Sequence, residues 1–233
     1  MASNVVYWMG IDKFYAYNGR VETLPCTLRN HVFQNLNYEQ LDQVICGTNE
    51  GWSEVWWFYP TANSPTNDAY VVYNHLDKIW YYGSINRTAW IDNPLRQYPQ
   101  AVSGQFLYNH EQVINDDTAP MNAYIRSTDF DLAEGENYML LRRLIPDVQF
   151  EGSTAATPAV DITLYPRNYP GTASFNGAVN TRPIIETSAN IYTEQVFIRS
   201  RARQMALQIA SDELGVQWQL GSPRIDARPD GKQ

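Results

Sequence analysis

Charge is scarce in this sequence, and cysteine and histidine are scarcer still. Only 18% of the 233 residues are Asp, Glu, Lys or Arg, against 44% hydrophobic. A disordered chain needs the opposite balance, so a packed protein is expected. Two cysteines, Cys26 and Cys46, exclude a disulfide framework and a four-cysteine zinc site, and fit folding in a reducing compartment. The three histidines, His31, His75 and His110, have no metal-binding spacing. No metal or cofactor is expected from so few ligands. No run of about 18 apolar residues occurs, so no membrane-spanning helix is expected. Met1-Ala2-Ser3-Asn4 leads into no basic-then-apolar segment, so no signal peptide is expected. Without one, the sequon Asn86-Arg87-Thr88 reads as coincidence. Gly-x-Ser-x-Gly, a Walker loop and a dinucleotide fingerprint are all missing, and the chain is read as a non-enzyme.

What is abundant is aromatic: 16 Tyr, 8 Phe and 7 Trp. Large rings suit pleated surfaces and interfaces. The pattern predicts an all-β protein, with strands over Phe14–Tyr17, Val21–Cys26, Glu54–Tyr59, Ala69–Tyr73 and Ile79–Tyr82. Asn18-Gly19 marks a tight hairpin, because both residues tolerate positive φ. Both parities of Glu54–Tyr59 are apolar, as are those of Ala69–Tyr73, so these strands should be covered on both faces. An echo of apolar residues, then Tyr-Asn, then a turn recurs at Tyr17-Asn18, Tyr73-Asn74 and Tyr108-Asn109, with unequal steps. His75 and His110 follow it and take a turn role. Stacked propeller blades would explain two-sided strands; a two-sheet sandwich is the alternative.

The texture changes near Pro146. Residues 1–145 are read as a propeller-like β-domain closed by a strand over Tyr138–Ile145. Residues 146–233 are read as a smaller β-sandwich-like region. It comprises a strand over Val160–Tyr165, a long Pro/Gly/Asn-rich loop at 166–183, a strand over Val196–Ala210, a strand over Gln217–Leu220 and a charged tail from 222. Over Val196–Ala210, Ile198, Ala202, Met205 and Ile209 have helical spacing. The β-forming start Val196-Phe197-Ile198 favours strand, with Arg199, Arg201 and Arg203 on one parity continued by Met205, Leu207 and Ile209.

The net charge of −8 argues against a general nucleic-acid grip, which needs a basic surface. An acidic wall can still surround DNA and leave it mobile by repulsion. Charge is divided along the chain: from residue 196 there are six Lys/Arg against four Asp/Glu, and before it 11 against 21. Arg199, Arg201 and Arg203 are the one concentrated basic motif and the candidate inter-subunit contact, a basic edge meeting a neighbour's acidic face in a closed ring. A local phosphate contact and pairing within the chain are the alternatives. The carboxylates Glu54, Asp92, Asp116, Asp117, Asp129, Asp131 and Glu134 could include a glycosidase pair only if the fold brings two together across a sugar. The run Asp129–Glu136 gathers four carboxylates but lacks the third alternate position of a calcium loop; a charged turn is the simpler reading.

Several blocks carry a family resemblance: Trp8-Met-Gly-Ile-Asp-Lys-Phe-Tyr-Ala-Tyr-Asn-Gly-Arg20 with Leu24-Pro-Cys26; Glu54-Val-Trp-Trp-Phe-Tyr-Pro60; Tyr73-Asn74, Trp80, Gly83 and Arg87-Thr-Ala-Trp90. Arg199-Ser-Arg-Ala-Arg-Gln-Met205, Trp218-Gln-Leu-Gly221 and Arg224-Ile-Asp-Ala-Arg-Pro-Asp-Gly231 add to it. Together they resemble the C-terminal part of the tail nozzle, or tail-tube, proteins of short-tailed bacteriophages, which carry a β-propeller. The resemblance implies a structural virion protein, made in the host cytoplasm and assembled into a six-fold tube. Its partners would be an upstream nozzle component, an adaptor, and fibres or spikes, and packaged DNA would pass through during ejection without specific binding. It carries over no catalytic residue. Such proteins are much longer, and three echoes give about three blades, so completion of the β-domain by another polypeptide is expected. The alternative is a receptor-binding or glycan-degrading tail protein.

Overall fold

The computed structural model describes residues 2–92, 97–169 and 183–232. The chain is all-β and divides into two compact units, residues 1–112 and 113–233. The division expected at 145/146 therefore falls earlier. The strand at Met139–Ile145, expected to close the first region, pairs on both sides with later strands and belongs to the second unit.

The first unit holds β1 (Val6–Met9), β2 (Phe14–Tyr17), β3 (Val21–Leu24), helix α1 (Arg29–Phe33), β4 (Ile45–Asn49), β5 (Glu54–Tyr59), β6 (Ala69–Asn74), β7 (Ile79–Gly83), β8 (Ala89–Ile91), β9 (Gln100–Ser103) and β10 (Phe106–Asn109). These make three antiparallel meanders in chain order: β1-β2-β3, β4-β5-β6-β7 and β8-β9-β10. Local signals set the turns. Gly19, at φ +109°, takes the left-handed position after Asn18. Asn74 Oδ1 accepts from the backbone N–H of Leu76 (3.0 Å) and Asp77 (2.9 Å), an Asx turn where the echo predicted a turn.

The middle sheet is buried on both faces, as its composition predicts. Val55, Trp57, Tyr59, Val71 and Tyr73 pack with Phe14 and with Val32, Phe33 and Leu36, joined by Tyr7, Met9 and Leu24 of the first sheet. On the other face, Trp56, Phe58 and Val72 pack with Trp90 of the third sheet. The Trp90 ring stacks on Trp56 at 5.3 Å and donates through Nε1 to the Thr48 carbonyl at 2.8 Å. Gly47 permits this approach: a Cβ there would stand 2.1 Å from Trp90 Cδ1. The three sheets thus succeed one another face to face as blades do.

The second unit holds β11 (Ala123–Arg126), β12 (Phe130–Asp131), β13 (Met139–Ile145), β14 (Val148–Gln149), β15 (Ala159–Arg167), β16 (Ile185–Asn190), β17 (Val196–Ala202), β18 (Gln204–Ser211), β19 (Gln219–Leu220) and β20 (Arg224–Pro229). One sheet runs β11-β18-β15-β16, with β12 also on β18; another runs β17-β13-β20; β14 pairs β19. The first two sheets share one core of Met139, Leu141, Leu144, Val160, Ile162, Leu164, Val196, Ile198, Met205, Leu207 and Ile209. That is a sandwich, as expected for the C-terminal region, although it begins before Pro146.

Three details differ from the sequence reading. The strand over 196–210 is two strands in two sheets, joined at Arg203. Buried residues are 196, 198, 200 and 202 before the joint, and 205, 206, 207, 209 and 211 after it. A one-residue crossing between sheets reverses the parity, so Arg199 does not share a face with Met205 and Leu207. The tail is not loose: Arg224–Pro229 is β20, paired along β13. Of the loop expected at 166–183, Pro166 and Arg167 lie in β15, and 170–182 fall outside the described residues.

Candidate functional site: charged clusters and uncovered sheet faces

Glu54, at the start of β5, collects hydrogen bonds. Its carboxylate accepts from the Tyr81 hydroxyl, from Trp56 Nε1 (2.9 Å) and from Asn49 Nδ2 (3.4 Å). The same amide nitrogen donates to Glu111 at 3.3 Å. Burial, then the bond to Glu54, holds the Tyr81 phenol protonated far above its ordinary range. Partial burial and the nearby Glu54 raise the Glu111 carboxyl. Two carboxylates are therefore brought together, but Glu54 is occupied by protein donors. Two clefts among the described residues are lined by other residues: Ala2, Ser3, Asn4, Glu50, Ser53 and His75 in one, and Cys46, Gly47, Thr48, Trp90 and Asp92 in the other. The arrangement braces a sheet corner, with Asn49 Nδ2 held between the two carboxylates.

Asp92, Asp129 and Asp131 are also placed locally. Asp92 accepts from Glu50 N–H (2.9 Å) and Thr48 Oγ1 (3.2 Å). Asp129 pairs with Arg167 at 3.0 Å, Asp131 accepts from Gln204 at 3.2 Å and Glu136 meets Lys232 at 3.6 Å. The 129–136 run is thus a charged turn tied to basic and amide groups. Glu134 has left-handed backbone, φ +55°. Cys26 and Cys46 are free thiols.

The histidines pack rather than cluster. His31 lies 4.1 Å from the Tyr82 ring and His75 is stacked 6.2 Å from Tyr7. His110 receives a hydrogen bond from Arg87 Nε at 2.9 Å, and its ring centre is 4.8 Å from that of Trp90. Burial, then the Arg87 charge, lowers its pKa from 6.5 to about 4. This has a pH consequence. Above pH 6.5 neither folded nor unfolded chain protonates it. Between 6.5 and 4 the unfolded chain takes up a proton that the folded chain refuses, so stability falls with pH, by roughly 2–3 kcal/mol at the lower end. Urea midpoints of His110→Gln should decline less over that window than those of the parent protein; parallel declines would refute this assignment. Glu111, shifted upward, acts with the opposite sign in both proteins and drops out of the comparison.

The three arginines named from the sequence divide by role. Arg201 bonds the Asp230 carboxylate (2.5 Å) and carbonyl (2.7 Å). Arg203 donates to the carbonyls of Gly135 (3.1 Å), Glu136 (3.0 Å) and Lys232 (2.9 Å). Both guanidiniums stand against the Tyr138 ring, at 4.1 and 4.8 Å. Arg199 is exposed and has no partner among the described residues. Of the three residues expected at an inter-subunit contact, Arg201 and Arg203 are thus bonded within the chain and Arg199 is not, among the described residues.

Sequence reasoning missed Arg199's neighbours. The β17-β13-β20 sheet turns Arg142 and Arg143 outward together, because the register slips between Leu141 and Arg143. Arg224 and Arg228 lie on the same face of β20, opposite Ile145 and Leu140. With Arg199 and Arg201, six arginines and one acid, Asp226, occupy one face of three strands. The Arg142-Arg143 doublet inside an apolar run was the available signal.

The outer sheets of the first unit show another surface. In β1-β2-β3 the register sets Val6 opposite Tyr17, Trp8 opposite Tyr15, Tyr15 opposite Thr23 and Tyr17 opposite Val21. This face, turned away from Phe14 and Met9, carries no charge, and Val6, Tyr17 and Val21 are 43%, 45% and 59% exposed. In β8-β9-β10 the face opposite Trp90 holds Ala89, Ile91, Gln100, Val102, Leu107 and Asn109, again uncharged, with Ile91 and Leu107 exposed.

No known family model matches this chain, and no curated protein matches its sequence.

Proposed function

We propose that the chain is a structural subunit of a multi-chain β-assembly, and that this assembly is the tail nozzle of a short-tailed bacteriophage. The observation that carries the assembly reading is the pair of uncharged outer faces on a stack whose middle sheet is covered on both sides. A blade's flat apolar face is stable when another blade covers it. Here only the middle blade has both neighbours, and large uncharged faces mark interaction surfaces.

The Tyr-Asn echo adds to this. In the middle sheet it closes the third of four strands, β6. In the first sheet it closes the second of three, β2, and in the third sheet the last of three, β10. Counted from the echo, the first sheet is short of its opening strand and the third of its closing strand. An upstream nozzle component supplying the adjoining blades satisfies both ends. The tail assignment rests on the sequence resemblance. In it, six copies line a DNA conduit below the portal and adaptor, and fibres or spikes attach outside. The net charge of −8 keeps passing DNA from adhering.

Quantitative mass spectrometry of purified virions tests this. Peptides of this chain should be present at about half the molar amount of the portal protein, as a six-fold tail on a twelve-fold portal requires. Their absence from virions would overturn the phage assignment.

A further inference from the structure

The arginine face of the second unit stands in a chain that is acidic overall. Neighbouring strands lie about 4.8 Å apart and alternate residues about 6.7 Å apart along a strand, so the guanidiniums crowd one another. Three are partly compensated: Arg143 by Gln195 Oε1 at 3.3 Å, Arg201 by Asp230, and Arg228 by Asp226 at 3.6 Å. Arg142, Arg199 and Arg224 have no partner among the described residues. In their midst Phe197, opposite Arg143, is 76% exposed. An exposed ring among arginines has the composition of an interface centre.

The same unit carries a surface of opposite sign. Asn115 Oδ1 accepts from Gly215 N–H at 2.7 Å, tying the loop after Val113 to the turn after β18. This gathers Asp116, Asp117, Asp212 and Glu213, all exposed and without a cationic partner among the described residues. Two apolar residues sit among them, Leu214 at 54% and Val113 at 64% exposure. Each patch has an exposed apolar centre and a rim of one charge, and the signs are opposite.

We propose that the arginine face around Phe197 binds a second copy of this chain through the acidic loops around Leu214. The contact is head to tail, since the two patches differ, and repeated contacts of that kind build rings or filaments. Phe197 and Leu214 supply the desolvated centre, while arginine–carboxylate pairs set orientation. This rests on reading the chain as an assembling subunit, and not on its phage origin. Absence from virions would overturn the latter and leave this contact standing.

Sedimentation velocity on the full chain decides it, with two charge-reversed variants: Arg142→Glu/Arg199→Glu/Arg224→Glu, and Asp116→Lys/Asp117→Lys/Asp212→Lys/Glu213→Lys. The parent protein should associate at low salt and dissociate as salt rises. Each variant alone should associate about 100-fold more weakly, because like charges then face each other. An equal mixture should associate again, since it restores opposite signs across the contact. The neutral set Arg142→Gln/Arg199→Gln/Arg224→Gln, with circular dichroism, guards against misfolding and should also weaken association. A mixture that fails to recover, or variants that sediment as the parent does, would overturn the proposal. So would a monomeric parent whose arginine face binds duplex DNA instead.

Discussion

Replacing Trp57 with alanine is expected to cost about 3–5 kcal/mol, the upper range for a buried aromatic. Trp57 is 1% exposed at the centre of β5. Its ring meets Phe14 at 4.9 Å and Trp80 at 5.8 Å, so it joins the first and middle sheets. Alanine would leave a cavity between two sheets whose strand ladders resist collapse into it. Trp57 Nε1 is buried with no hydrogen-bond partner among the described residues. Trp57→Phe keeps much of the ring contact and removes an unsatisfied donor. It should therefore cost about 1.5 kcal/mol or less. Hydrogen exchange read by mass spectrometry resolves the two units. The alanine variant should lose protection in β5 and β6 and keep it in β15 and β18, which belong to a different core. Equal losses for the alanine and phenylalanine variants would refute the packing account.

The second large effect is expected at Arg201 and Arg203. Replacing both with alanine removes the bonds to Asp230, Gly135, Glu136 and Lys232 and the two cation–π contacts on the Tyr138 ring. The segment 230–232 then keeps two backbone bonds, Tyr138 N–H to the Gly231 carbonyl (2.8 Å) and Asp230 N–H to the Tyr138 carbonyl (2.7 Å), and the exposed pair of Lys232 with Glu136. A net of roughly 2–4 kcal/mol follows from several charge-assisted bonds and two cation–π contacts, discounted for partial exposure. Arg203→Lys should not rescue it, because one ammonium cannot span three carbonyls that a planar fork reaches. Arg199→Ala should change stability by less than about 0.5 kcal/mol, as an exposed residue without partners. Denaturant unfolding of the three variants checks this ordering. Equal effects at 199 and 203 would contradict the division of roles.

That division was hidden in Arg199-Ser-Arg-Ala-Arg203. Spacing puts the three arginines on one strand parity; the sheet crossing takes Arg203 out of β17, and Asp230, just past β20, bonds Arg201 but not Arg199. The acidic cluster around Leu214 was equally hidden, because its halves lie about a hundred residues apart and meet through the Asn115–Gly215 bond.

Where burial was two-sided, sequence sufficed. Every position of Val55–Tyr59 is apolar, and each side chain is buried, because a strand with no polar face has no stable wet side. Asn18-Gly19 likewise sets its own turn through local backbone preference. The all-β class follows from such signals summed along the chain. The unit boundary, the β20 strand and the arginine face were decided by tertiary structure. Arg224-Ile-Asp-Ala-Arg-Pro229 reads as a polar tail until β13, some eighty residues earlier, offers a partner. Its Ile225 and Ala227 turn to the core, which leaves its arginines facing out. Strand pairing across such distances depends on which edges remain open after the rest of the chain has packed, and no local preference encodes that.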